Sequence, residues 1–212
     1  MIRLHHCAQT RSMRVLWMLY ELELDFELVR QSLDRSLRDP AYLALHPAGR
    51  VPSLEIDGGV IFESLAALQY LAERHVEQGL AGAGIDWLNW LNFAETISQH
   101  AAALTQQHIA IFPPEARSSL LCKIEAKRLA KIYEALEGRL ENRDFVLGEF
   151  SAADVALGQA LYMAKHFVKL EEFPRVAAYY ERLSARPAFQ KSLPQADEPL
   201  LYVKDYYEVP NA

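Results

Sequence analysis

The chain has 212 residues, 51% of them apolar and 24% charged, enough for one large or two small domains of ordinary globular composition. A net charge of -6 argues against nucleic-acid binding, which normally requires a basic patch. The two cysteines, Cys7 and Cys122, make no disulfide framework, no apolar run approaches a membrane span, and no signal-peptide core precedes the first strand-like residues, so a reducing cytoplasm is expected.

In chain order, residues 2–6 read as a short strand. Residues 12–24 carry Met13, Leu16, Trp17 and Tyr20 at the spacing of one helix face. Residues 25–31 alternate, with Phe26, Leu28 and Val29 apolar, as in a second strand. Asp39-Pro40 starts a short helical turn through Leu45, with proline at a favoured first position. Strands follow at 51–56 and 60–62, joined by Asp57-Gly58-Gly59, a strong hairpin signal. Residues 63–76 are helical, with Leu65, Leu68, Tyr70 and Leu71 apolar.

This order, β-α-β then a hairpin and a helix, predicts a thioredoxin-like domain over 1–78. Its first two strands run parallel through a right-handed crossover, in a mixed four-stranded sheet. A glycine-rich break at 79–84 precedes a change to helices only, so an all-α C-terminal domain is expected over 85–212. Its helices are predicted at 85–112, ended by Pro113-Pro114, then at 115–140, 151–167 and 173–185, with an extended tail over 194–212.

Four segments agree in their order and spacing. The first is Thr10-Arg11-Ser12-Met13-Arg14-Val15-Leu16-Trp17, similar to the Ser-Arg-Ser-x-Arg-Val-Leu-Trp pattern that opens the first helix of many bacterial and fungal transferases. The second is His46-Pro47-Ala48-Gly49-Arg50-Val51-Pro52, close to Asn-Pro-x-Gly-Lys-Val-Pro. The third runs from Phe62-Glu63-Ser64 to Tyr70-Leu71, and the fourth is Ser151-Ala152-Ala153-Asp154. Together they cover nearly the whole chain and resemble the glutathione S-transferase family.

The resemblance implies a glutathione site in the N-terminal domain and a second-substrate pocket in the helical one. Val51-Pro52 would be a cis step whose backbone pairs with the cysteinyl unit of glutathione, like an added strand; alone, Val-Pro is equally a strand entry. Ser64 and the amides of the helix it opens would hold the γ-glutamyl carboxylate, with Glu63 beside them. Ser64 is also a natural helix cap, and the two roles are compatible. Arg50, where the family usually has lysine, either faces the glycine carboxylate or is solvated.

The chemistry needs the glutathione thiol as a thiolate, which a hydroxyl donor and a helix N-terminus favour. Thr10 matches the position of the pattern's serine, and Ser12 is the second candidate hydroxyl. Cys7 falls short of the position used by cysteine-type members and reads as a small apolar residue. Arg11 and Arg14 are candidates for added positive potential, Arg14 equally for a structural role.

Ser151 and Asp154 have capping-box spacing and read as fold-stabilising, with ~1 kcal/mol at stake. His5 and His6, adjacent on a strand, face opposite sides and make no chelating pair. His100, Leu104 and His108 are candidates for lining the second-substrate pocket; their spacing does not suit a metal, and none is expected. The implied activity is conjugation of glutathione, as co-substrate, to a small electrophile, in a cytoplasmic homodimer. Disulfide reduction, dehalogenation, isomerisation and a non-enzymatic binding role remain alternatives on the same fold.

Overall fold

The computed structural model describes residues 1–209, so the last three residues of the predicted 194–212 tail lie outside the described residues. The chain divides into two compact units, one of residues 1–82 with 185–200, the other of residues 83–184 with the segment from Leu201.

In the first unit, β1 (Arg3–His6) and β2 (Glu27–Arg30) are parallel, linked by α1 (Ser12–Glu21). Residues Ser12 to Leu19 of α1 are all buried, more than the single apolar face predicted. A 3-10 turn at Arg35–Arg38 and the short α2 (Pro40–Leu43) lead to β3 (Ser53–Ile56) and β4 (Gly59–Ile61). Strand order is β2-β1-β3-β4, with β3 antiparallel to both neighbours. The hairpin between β3 and β4 turns on Asp57 and Gly58 alone, with φ of 52° and 78°, the two positive values a tight I′ turn requires. Gly59 is already the first residue of β4. Tyr70 and Arg74 of α3 (Ser64–Arg74) bind the Asp57 carboxylate, clipping the turn to the helix.

This unit also takes back residues 185–200, which the sequence pattern had placed with the helical half. The short α8 (Pro187–Lys191) lays Phe189 edge-on against Trp17 at 4.9 Å, and Arg186 grips Glu21 through two bonds of 2.7 and 2.8 Å. Trp17 is fully buried, and truncating such a side chain typically costs about 3–5 kcal/mol.

The second unit holds α4 (Gly84–Thr105), α5 (Ser119–Arg139), α6 (Ala152–Ala164) and α7 (Pro174–Ser184). Every residue of α6 is buried, as suits a helix that is apolar all round. The Glu137 carboxylate of α5 accepts the Arg175 and Val176 amides that open α7, at 2.9–3.0 Å. Helix α4 does not continue regularly to Phe112; it widens into a π turn at Gln106–Ala110.

Asp154 is the polar centre of this unit. Its Oδ2 accepts the Ser151 amide (2.8 Å) and hydroxyl (3.0 Å), and its Oδ1 accepts the Val146 amide (3.1 Å) and the Tyr179 hydroxyl (2.7 Å). The carboxylate therefore satisfies four donors, more than the capping pair expected. Burial raises its pKa, against the pull of those bonds.

Candidate functional site

Strand register decides where the candidate residues meet. His5 of β1 is opposite Ser53 of β3, and Leu54 of β3 is opposite Ile61 of β4. The exit of β1 toward Thr10, the entry to β3 through Val51 and Pro52, and the exit of β4 toward Ser64 therefore share one end of the sheet.

At the first of these corners, Thr10 is half-buried just ahead of α1. Its hydroxyl donates to the Cys7 carbonyl at 2.7 Å and lies 2.8 Å from Ser12 Oγ. Ser12 has no exposed surface. Its Oγ accepts the Cys7 amide at 3.1 Å, lies 3.1 Å from the Cys7 carbonyl, and is 2.8 Å from His6 Nδ1. The two candidate hydroxyls are thus coupled but unequal: Thr10 is reachable, and Ser12 stands behind it.

Burial holds the His6 pKa down to about 4, so the ring is neutral near pH 7. Burial pushes the Cys7 thiol up to about 11, which makes it a poor nucleophile and fits its reading as a small apolar residue. Arg14 is fully buried within α1, and Arg11 is its half-buried N-cap. The motif reading missed the His6 contact. Its only signal is a histidine at the last position of a strand, next to the loop that carries the hydroxyls.

At the second corner the Val51–Pro52 bond is cis. Val51 lies outside the β1–β3 pairing, which begins at Ser53. The Tyr42 hydroxyl donates to the Arg50 carbonyl at 2.7 Å, and His46 Nδ1 accepts the Ala48 amide at 3.2 Å while its ring packs against Phe62. His46 is therefore a brace of this loop. Gly49 has φ +58°, and a Cβ there would meet the Leu37 carbonyl oxygen at 2.5 Å, so the turn requires glycine. The Arg50 side chain is exposed.

At the third corner Glu63, not Ser64, holds the N-cap position of α3, and its side chain makes no capping bond. Ser64 is the first helical residue and is buried. The first amide known to bond within the turn is that of Ala67, to the Glu63 carbonyl. The amides of Ser64, Leu65 and Ala66 precede the i→i-4 ladder and form the positive end of the helix dipole.

The three pocket candidates of the second unit separate. Leu104 is fully buried in α4. His100 hydrogen-bonds Glu125 of α5, which also binds Arg128. His108, on the π turn, stacks on Phe167 and leans on Tyr207, and burial with Arg117 and Lys204 lowers its pKa. It lines a hollow of about 570 Å³ with Arg117, Lys169, Lys204, Tyr206, Tyr207 and Glu208. Among the described residues, no group of three or more metal-binding side chains is assembled, and no helix is long and apolar enough to cross a membrane.

Comparison with known proteins agrees with this fold. The family model of the glutathione S-transferase N-terminal domain matches residues 4–79, and that of the C-terminal domain matches residues 100–187. The chain is 30% identical to glutathione S-transferase 4 of Zea mays over 189 residues, 84% of this chain and 85% of that protein. It is 32% identical to glutathione S-transferase 3 of Zea mays over 194 residues, 85% and 87% of the two chains. A sphingomonad glutathione S-transferase solved in complex with glutathione superposes with a TM-score of 0.76 at 28% identity, covering 90% of this chain and 96% of that one. The thioredoxin-like sheet, the helical unit and these matches together make this chain a member of the glutathione S-transferase family.

Proposed function

We propose that this chain activates the thiol of glutathione and adds it to a small electrophile. The observation that carries the reading is the coupled pair Thr10–Ser12 at the start of α1, on the same sheet end as Val51 and the first turn of α3. A hydroxyl donor and a helix N-terminus both favour a thiolate over a thiol.

In this reading the Thr10 hydroxyl turns from the Cys7 carbonyl to the sulfur, while its oxygen stays 2.8 Å from Ser12 Oγ. Val51 pairs with the cysteinyl backbone. Ser64 and the leading amides of α3 hold the γ-glutamyl carboxylate, Glu63 faces its ammonium group, and Arg50 is in reach of the glycine carboxylate. The thiol proton leaves to solvent. The thiolate then forms a carbon–sulfur bond as a leaving group departs with its electron pair, or as an activated double bond accepts the pair.

We assign the electrophile to the hollow beside His108, with His100 and Leu104 supporting the helix that carries it. Two free, buried cysteines favour a reducing compartment, and the cytoplasm and a homodimer complete the reading.

The test is steady-state conjugation of reduced glutathione to an aryl halide by the wild type, Thr10→Ser and Thr10→Ala. Thr10→Ala is expected to lower kcat/KM about 10–100-fold, the worth of one charge-assisted hydrogen bond, with Thr10→Ser close to wild type. Equal rates for all three would remove Thr10 from the chemistry. Disulfide reduction without conjugation would move the activity to a different reaction class.

A further inference from the structure

Ser12 has no exposed surface, so it cannot touch a substrate, yet four polar groups converge on its hydroxyl. These are the Cys7 amide (3.1 Å), the Cys7 carbonyl (3.1 Å), Thr10 Oγ1 (2.8 Å) and His6 Nδ1 (2.8 Å). A hydroxyl has one proton and two lone pairs. The Cys7 amide takes one lone pair. What His6 presents at Nδ1 then decides where the Ser12 proton points.

If Nδ1 carries the imidazole proton, it donates into the second lone pair of Ser12. The Ser12 proton is then directed to its nearer acceptor, Thr10 Oγ1 at 2.8 Å, as Thr10 turns its own proton outward. If Nδ1 is bare, it competes for the Ser12 proton and draws it away from Thr10. Hydrogen bonds in a chain polarise one another, so the first arrangement makes Thr10 the better donor.

The same ring lines a hollow of about 560 Å³ in this unit, together with Tyr20 of α1, Arg30 of β2, Lys191 of α8 and Glu198 beyond it. Glu198 binds Arg30 at 2.9 Å. With Glu198 held by Arg30, the 2.8 Å hydrogen bond to Ser12 Oγ is the contact that keeps the ring proton on Nδ1. We infer that His6 is a positioning residue for the thiol chemistry, donating from Nδ1 to Ser12 so that Ser12 polarises Thr10 toward the glutathione sulfur. This rests on the reading of Thr10 as the thiolate donor.

The experiment is ultraviolet titration of the thiolate of bound reduced glutathione, on the full chain, in wild type, His6→Leu, His6→Asn, Thr10→Ala and His6→Leu/Thr10→Ala. His6→Leu is expected to raise the thiol pKa by about half to one unit. His6→Asn, whose amide N–H can replace Nδ1–H, restores most of the shift. In the Thr10→Ala background His6→Leu adds nothing further, as expected for residues acting in series. A wild-type titration in His6→Leu, or an undiminished extra shift in the double variant, overturns the inference and leaves Thr10 in place. A thiol unshifted even in wild type overturns both.

The tautomer itself is read from ¹⁵N resonances of the wild-type imidazole, which needs no variant to fold. Nδ1–H is expected, and Nε2–H would overturn the inference.

Discussion

Ser53 lies directly opposite His5 in the β1–β3 ladder, so the chain leaves β1 toward Thr10 beside the point where it enters β3 through Val51 and Pro52. A shift of one residue in this register would turn every side chain of β3 to the other face and displace Val51 along the sheet. The site therefore depends on the pairing as much as on its own side chains.

The turn before Val51 gives the first prediction. Gly49→Ala meets both a positive φ and the Leu37 carbonyl at 2.5 Å. It should destabilise the chain by about 2 kcal/mol, which for this size is a fall of roughly 4–8 °C in melting temperature. Glutathione affinity should fall as well, because the loop holding Val51 must move. A calorimetric scan with and without glutathione measures both effects.

The first turn of α3 gives the second. Ser64 is buried at the first helical position, and the N-cap role belongs to Glu63. Ser64→Ala should therefore cost less stability than a lost cap, under about 1 kcal/mol, while weakening glutathione binding about 5–10-fold through loss of one hydroxyl bond. Isothermal titration with reduced glutathione separates these outcomes. Unchanged affinity would remove Ser64 from the proposed carboxylate site.

Asp154 gives the third. Asp154→Ala strands the Val146 and Ser151 amides and the Tyr179 hydroxyl in the interior. The expected loss is about 3–5 kcal/mol, well above the ~1 kcal/mol of a simple cap. Urea unfolding gives the value, and the variant that folds should bind glutathione as wild type does. The pH sign is opposite to that of an ordinary paired carboxylate. Because its folded pKa is raised, the ionisation penalty grows as pH rises through that value and vanishes below the unfolded one, so Asp154 does not drive acid unfolding.

His6 supplies the fourth. Its pKa is lowered from 6.5 to about 4 by burial. Between those values the unfolded chain binds a proton that the folded chain does not, so stability is complete above pH 6.5 and falls as pH drops toward 4. The loss amounts to about 3 kcal/mol over the window, and His46, His108 and His166, also lowered by burial, act in the same direction. Denaturant midpoints measured against pH should show this slope, and His6→Asn should flatten it.

Much of this was legible in the sequence. Asp57-Gly58 marked the hairpin because only an I′ turn wants two positive φ values in succession, and Pro40 and Pro113 marked a helix start and a helix end. The return of 185–200 to the first unit was not legible, because the five residues of α8 are too few for a periodic signal and their partners, Trp17 and Glu21, are more than 160 residues away. The grouping of His100, Leu104 and His108 assumed one regular helix. Leu104 enters the core from the regular part of α4, and the π turn at Gln106–Ala110 then shifts the phase, so that His108 packs against Tyr207 of the tail. The His6 contact was not legible because it depends on the loop folding Ser12 back onto β1, which no spacing rule announces.

The central claim is that this end of the sheet lowers the pKa of the glutathione thiol through Thr10. Titrating the thiolate absorbance of bound glutathione in wild type and Thr10→Ala tests it most directly. The account predicts a thiol at least one unit below the ~8.5 of a free cysteine in wild type, returning most of the way in Thr10→Ala. A bound thiol that titrates like the free tripeptide in both proteins would contradict it.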